Sequence, residues 1–283
     1  MFRKRRVVAP EAITVRRMDF EFDDRIPHCW VRGEPFLTLL MTALSGSFPD
    51  GERFFVESVR HYRDQILDPK LKEDVRAFIG QEAHHAKEHN ALNAFLTRKG
   101  LPVDRIERIV RYGLGLRQQR LSPARQLAMT CANEHFTAIL ADMLLSEPEI
   151  IERMDPQVRA IWIWHAIEES EHKAVAFDVY QEVVGDYWIR VYQMAISTFE
   201  FHLYTGLHLL MLLRHTGQHR DLPMILRGLN KLYGKPGWFR KLLPAYLDYY
   251  RPGFHPWQRD NSQTLAYWRE RLEQLRTGQA KAA

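Results

Sequence analysis

Cysteine is scarce in this chain: Cys29 and Cys131 are the only two in 283 residues. They stand far apart with no second cysteine near either, which excludes a CxxC metal or redox motif and a disulfide framework, and fits a reducing cytoplasm. Long hydrophobic runs are missing too. The most apolar stretch, LYTGLHLLMLL at residues 203–213, follows Glu200 and His202 and is too short for a span of about 20 residues. It reads as a buried helix, with contact to a membrane surface as the lesser reading. Basic residues near the start are not followed by the apolar run of a secretory signal, so a cytoplasmic location is expected. Neither sign of charge dominates: 40 basic residues face 35 acidic ones, a net +5. That is weak support for a polyanionic partner, and none of nucleic-acid type is expected. Six basic residues (Arg3, Lys4, Arg5, Arg6, Arg16 and Arg17) fall in the first seventeen positions and read as part of a solvated arm.

What the chain does have is apolar mass, 46% hydrophobic and 12% aromatic, enough for a large core and too much for disorder. Residues 1–32 form the arm, including an alternating run, TVRRMDFEF, that could be extended. Residues 33–283 then read as one helical domain. Asp50 is the expected N-cap of a helix running to about residue 67. Asp68-Pro69, Ser122-Pro123 and Asp155-Pro156 are cap-then-proline starts for long helices ending near Gly100, Leu145 and Val184. A connecting helix is expected over 103–117 and a long apolar one over 186–216. Frequent Pro and Gly then cut the tail into short helices, with a charged one near 259–277. The fold class is all-α, a long-helix bundle over about 48–185 with a helical extension from 186 to 283.

The helix opened by Asp68 contains IGQEAHHAKEH, in which Glu82, His85 and His89 follow at spacings of three and four and share a face with Val75, Phe78, Ile79, Ala86 and Leu96. His84 and Glu88 fall off that stripe. The segment WHAIEESEHK repeats the arrangement: His165, Glu169 and His172 share a face with Ile161, Trp162, Ala176 and Val179, while Glu168 and Glu171 lie to its sides. Glu52 shares a face with Phe48, Phe55, Val56 and Val59, and Glu134 sits among Leu127, Thr130, Cys131, Thr137, Ala138 and Ala141. Four inward carboxylates with inward imidazoles supply hard, adaptable ligands for two cations, which in turn neutralise charges that would be costly to bury. A lone Glu-x-x-His arises by chance in many helices. Two such helices alternating with two inward glutamates, one element per long helix, is a far more specific pattern. Thr130, Cys131 and Tyr180 lie near these positions and read as core packing.

The order Glu, Glu-x-x-His, Glu, Glu-x-x-His resembles the ferritin-like di-iron carboxylate superfamily over residues 48–185, with Glu52, Glu82, His85, Glu134, Glu169 and His172 matching its motif. This resemblance implies a ferritin-like four-helix bundle holding two iron ions, with Mn/Fe or other divalent metals as variants. The extra histidine of HxxxExxH is similar to the arylamine N-oxygenases, which implies a further ligand at His165. QEAHHAKEH and WHAIEESEHK are similar to a bacterial family described as predicted metal-dependent hydrolases. His89 lies outside the common motif and reads either as another ligand or as a hydrogen-bond partner of a bound carboxylate. The resemblance implies an oxidase or oxygenase acting on O₂ and a small apolar or aromatic molecule, with an external electron donor. A metal-dependent hydrolase is the alternative. A purely storage role is disfavoured by the hundred extra helical residues, which could wall a substrate tunnel or form a homodimer face.

Overall fold

In the computed structural model residues 12–276 are described. Arg3, Lys4, Arg5 and Arg6 lie outside them, as does the last residue of the expected final helix. No strand forms among the described residues, and Val31 and Met154 make one isolated antiparallel bridge.

The cap-then-proline pairs set the long helices. Asp68 accepts the N–H groups of Lys70 and Leu71 at the head of α3 (Pro69–Arg98), after α1 (Pro35–Ser45) and α2 (Phe48–Arg60). Gly100 at φ +93° turns the chain from α3 towards α4 (Val103–Arg120), a conformation that side chains with a Cβ rarely take. Ser122 accepts the Arg125 N–H at the start of α5 (Pro123–Leu145). The one-and-a-half-turn α6 (Pro148–Arg153) leads to Asp155, which accepts the Gln157 N–H and opens α7 (Pro156–His172). Satisfying these first-turn donors is worth about 1 kcal/mol per cap.

Two of the expected helices change their bounds. Asp50 is not a cap: α2 begins at Phe48, and Asp50 lies buried in its first turn, paired with Arg53 and Arg111. Pro49 explains the shift, because proline suits the first turn of a helix that has already started. Chain direction changes after Arg60, short of the expected end. The second difference is at residue 172. Instead of running on to Val184, the helix stops at His172, turns through Lys173 and Ala174, and restarts as α8 (Val175–Val183). The interruption lets the buried Lys173 amine reach Arg259 O (2.9 Å) and Asn261 Oδ1 (3.0 Å).

Helices α2, α3, α5 and α7 close a ring, α2 packing on α3 and α5, and α7 on α5 and α3. Beyond it, α9 (Tyr187–His215) lies across α5 and α1, followed by α10 (Leu222–Tyr233), α11 (Trp238–Asp248) and α12 (Ser262–Arg276). The segment 203–213 is helical as expected but not fully buried: Leu203, Leu207 and Leu210 stand exposed, because α9 is packed on its inner side and nothing among the described residues covers the outer one.

The described part of the arm is not solvated along its length. Ile26, Trp30 and Val31 are buried in the main core, each contributing about 1.5–3 kcal/mol. Arg16 reaches Glu168 (3.1 Å) and Glu171 (2.8 Å) on α7.

Gly228 of α10 lies flat on Phe36 of α1, and a Cβ there would overlap the ring. Gly228→Ala is therefore expected to lower stability by about 1–3 kcal/mol through overpacking, although helix propensity alone would favour alanine by about 1 kcal/mol. A urea unfolding midpoint that rises would show that the contact is loose.

Candidate metal centre

The ring of four helices encloses charge. Glu52 of α2, Glu82 and His85 of α3, Glu134 of α5, and His165, Glu169 and His172 of α7 are all buried, and their polar ends converge. Three trios, Glu52/His85/His165, Glu82/His85/Glu169 and Glu82/Glu134/His172, each bring ligand-type atoms within 4.8 Å of one another. Shared members link the trios, so the seven residues form one cluster of two lobes, His165 and Glu52 at one end and His172 and Glu134 at the other. Periodicity explains the convergence: His165, Glu169 and His172 occupy successive turns on one face of α7, and Glu82 with His85 does the same on α3.

Seven buried carboxylate oxygens of this cluster make no aligned hydrogen bond, both of Glu52, Glu82 and Glu134 together with Glu169 Oε2, and neither do two ring nitrogens, His85 Nδ1 and His172 Nε2. An uncompensated buried carboxylate costs several kcal/mol in a protein interior. The orphaned atoms face one another rather than scattering through the core, which is what a cation site requires.

The imidazoles carry the argument further, because their outward nitrogens are already assigned. Gln81 donates its amide N–H groups to Thr14 O (3.0 Å) and Glu171 Oε2 (3.1 Å), so its oxygen accepts from His172 Nδ1–H at 2.9 Å. His172 Nε2 is then the nitrogen turned to Glu82 (3.1 Å) and Glu134 (3.3 Å), free for a cation or a proton. His85 Nε2–H donates to Glu168 at 3.1 Å, which turns its Nδ1 to Glu82 (3.6 Å) and Glu169 (3.5 Å).

The third ring is set by a longer chain. Asn93 donates to Ser45 O and to Glu107, which leaves its oxygen to accept from the Ser45 hydroxyl at 2.7 Å. Ser45 can then only accept from His89 Nδ1–H (2.9 Å). His89 Nε2 in turn accepts from His165 Nδ1–H at 2.6 Å. Burial first, and then the neighbouring His165 and His85, holds His89 neutral, well below the ordinary histidine value. Burial and His85 lower His165 too. The consequence is that His165 Nε2 presents a lone pair to Glu169 Oε1 at 3.0 Å and to Glu52 Oε1 at 4.0 Å. A lone pair facing a carboxylate is repulsive unless a cation or a proton lies between them.

Three imidazoles whose outward N–H groups are held by Glu168, Gln81 and His89, with the other nitrogen turned into a nest of carboxylates, is the arrangement that orients histidine for metal ligation. The residues therefore fit a pair of cations. Without them protons take the place: hydrogen bonds and charges from the carboxylates outweigh burial and raise His85 and His172 well above the ordinary value, and burial pushes Glu134 up to about 8. Glu169 goes the other way, well below the usual range, because the charge of His172 and hydrogen bonds from His172 and His85 outweigh its burial.

Of the eight residues expected at the site, seven converge and His89 stands apart, with both ring nitrogens engaged by Ser45 and His165. Its place is that of a support for His165. Glu168, read as flanking, is fully buried and fixes His85, while Arg16 crosses from the arm to hold Glu168 and Glu171. Gln81, Ser45, Asn93 and Arg16 carry no local motif, and their partners lie far away in sequence. Glu88 is buried off the stripe, accepting the backbone N–H groups of Asp19 and Phe20. Thr130 bonds Ser58, Cys131 donates to Ala176 O, and Tyr180 donates to Asp186 O, so all three are satisfied in the core.

His165→Ala is expected to reduce metal content measured by elemental analysis, whereas His89→Ala should keep the metal but weaken its affinity about 10- to 100-fold. Equal loss of stoichiometry in both would make His89 a ligand. A second expectation concerns pH. Raised folded-state values for Glu134, His85 and His172 stabilise the metal-free protein fully only below the unfolded values, and this stabilisation fades as pH rises through the folded ones, near pH 8 for Glu134. Metal must displace the same protons. The gap in thermal midpoint between metal-loaded and chelated protein should therefore widen from about pH 5.5 to 8, and a gap that narrows would contradict this assignment.

A family model described as "Predicted metal-dependent hydrolase" matches residues 14–260, a span that contains every residue of the cluster and its supports from Arg16 to Lys173. No curated protein and no solved structure matches the chain. The family description agrees with the metal-ligating cluster and with the hydrolytic alternative, and gives no support to oxygen chemistry. With most of its length covered, the chain belongs to the predicted metal-dependent hydrolase family.

Proposed function

We propose that this chain is a metal-dependent hydrolase of a substrate with an apolar chain, built on a ferritin-like four-helix bundle, with Glu52, Glu82, His85, Glu134, His165, Glu169 and His172 holding two cations. One observation supports it above others: Glu52, His165 and Glu169 belong both to the cluster and to the wall of a cavity of about 360 Å³. The rest of that wall is largely apolar, with Phe36, Leu40, Phe136, Leu140 and Phe239 among its members, so an alkyl or aromatic body would be held by burial while its polar end met the carboxylates. No helix among the described residues is long and apolar enough to cross a membrane.

Divalent cations bound there would polarise a carbonyl or phosphoryl oxygen and lower the pKa of a water. The chain's own residues do the rest. His89 holds the proton on His165 Nδ1, Glu168 accepts that of His85, and Gln81 accepts that of His172, so each ring keeps its lone pair inward. The Phe48 ring packs against His89 (5.0 Å) and His165 (4.9 Å) and keeps bulk water from that side. Arg117 and Glu200, paired between α4 and α9, also line the cavity and tie these two walls together.

A second reading, an oxygen-activating di-iron enzyme, is favoured by one feature: the ligands come from four helices in the order Glu, Glu-x-x-His, Glu, Glu-x-x-His. The two readings separate cleanly in a pair of assays. Hydrolysis predicts release of nitrophenol from a medium-chain nitrophenyl ester under argon with zinc or manganese, lost by at least about a hundredfold in Glu52→Ala or after chelation. No ester turnover, together with two Fe(II) bound per chain and O₂ uptake with a transient visible absorption band, would replace hydrolysis by oxidation.

A further inference from the structure

The positive excess of the chain is not evenly spread. Residues 187–251, which carry α9, α10 and α11, contain nine lysines and arginines against three acidic residues, so this segment alone exceeds the +5 of the whole chain. Arg190 is buried, but Arg214, Arg220, Arg227, Lys235 and Arg240 are exposed. The same three helices carry most of the large apolar side chains left uncovered. On α9, Trp188, Tyr192, Phe199, Leu203 and Leu210 fall within an arc of about 60°, with exposures from 38% to 75%. On α10, Leu222, Leu226, Leu229 and Tyr233 recur at helical spacing, opposite the buried Met224, Gly228 and Leu232. Leu243 and Leu247 are exposed on α11 as well. Outward apolar stripes edged by cations are the pattern of helices that lie in a membrane interface.

A second observation ties this face to the site. Ile109, Tyr204, Leu229 and Tyr233 are exposed and also line the apolar cavity. The cavity thus reaches the surface within the patch, beside α9, and continues inward to Glu52, His165 and Glu169.

We propose that the α9–α11 face docks on an anionic lipid surface, so that the cavity mouth opens towards the bilayer. Charge selects this occupant over a second copy of the chain: a two-fold dimer through the patch would set one excess of cations against the same excess, and would close the mouth. An anionic leaflet satisfies both halves of the pattern, its headgroups meeting the arginines and lysines while the apolar side chains enter the interface. Docking stands on surface residues alone. Only the corollary, that substrate enters from the lipid, rests on the hydrolase reading.

The test is flotation of the purified full chain with vesicles of phosphatidylcholine alone and of phosphatidylcholine containing about a third phosphatidylglycerol, at low and high salt. Binding to the anionic vesicles is expected, weakened by salt and weak on neutral ones. Arg227→Gln and Lys235→Gln should each weaken it about fivefold, and Leu203→Glu with Leu226→Glu should abolish it. Because these positions are exposed and away from the cluster, metal content and thermal midpoint should stay unchanged. A chain that stays with the aqueous fraction on both vesicle types overturns the proposal, as does binding indifferent to all four substitutions. A dimer in light scattering that Leu203→Glu with Leu226→Glu converts to monomer, without vesicle binding, would assign the face to a second copy. Vesicle binding without ester turnover would overturn the hydrolase reading and leave docking intact.

Discussion

Four carboxylates at the centre of a helical core are the constraint to which the surrounding structure answers. Glu52, Glu82, Glu134 and Glu169 have been taken out of water, and most of their oxygens find no donor in the protein. An interior of low effective dielectric does not tolerate that charge unless cations or protons compensate it. Around them the chain commits its polar contacts to the histidines instead. Glu168, Gln81 and His89 each hold the outer nitrogen of one ring, and Arg16, Glu171, Ser45 and Asn93 hold those three in turn. The result is a set of ring nitrogens and carboxylates aimed at one place, fixed before any ion arrives.

This arrangement also accounts for features that look incidental in isolation. The described part of the arm, residues 12–32, crosses the bundle and brings Arg16 to Glu168 and Glu171, so its burial supports His85 at one remove. The break after His172 leaves that ring as the last residue of α7 while the chain bends to bury Lys173 against Trp257. Helix α9 closes one side of the cavity whose inner end is the cluster, and carries the exposed apolar stripe on its back. One element therefore separates buried charge from an apolar outer face, with a passage between them.

Much of this was legible in residue order. The three cap-then-proline pairs located the heads of α3, α5 and α7, because a side-chain acceptor followed by proline satisfies first-turn donors whatever the tertiary context. The spacing of Glu82 with His85, and of His165, Glu169 and His172, put those side chains on single faces, and the apolar neighbours told which way each face pointed. Less was legible where two influences compete locally. Asp50 has the chemistry of a cap yet lies within the first turn, since Pro49 can occupy that turn ahead of it. Segment 203–213 is apolar enough to be buried, but hydropathy does not say how many sides of a helix find a partner.

Sequence alone determined the helical class, the heads of the long helices and the inward faces that carry the eight candidate side chains, because these follow from 3.6-residue periodicity and capping, which act over a few residues. Tertiary structure decided what His89 does, since only the contacts of Ser45 with Asn93, and of His89 with His165, assign the protons. It likewise decided that Arg16 is part of the site's support, and that the C-terminal helices form the cavity wall and its exposed surround. Those outcomes depend on residues brought together from distant parts of the chain, and no local pattern of residue types encodes that meeting.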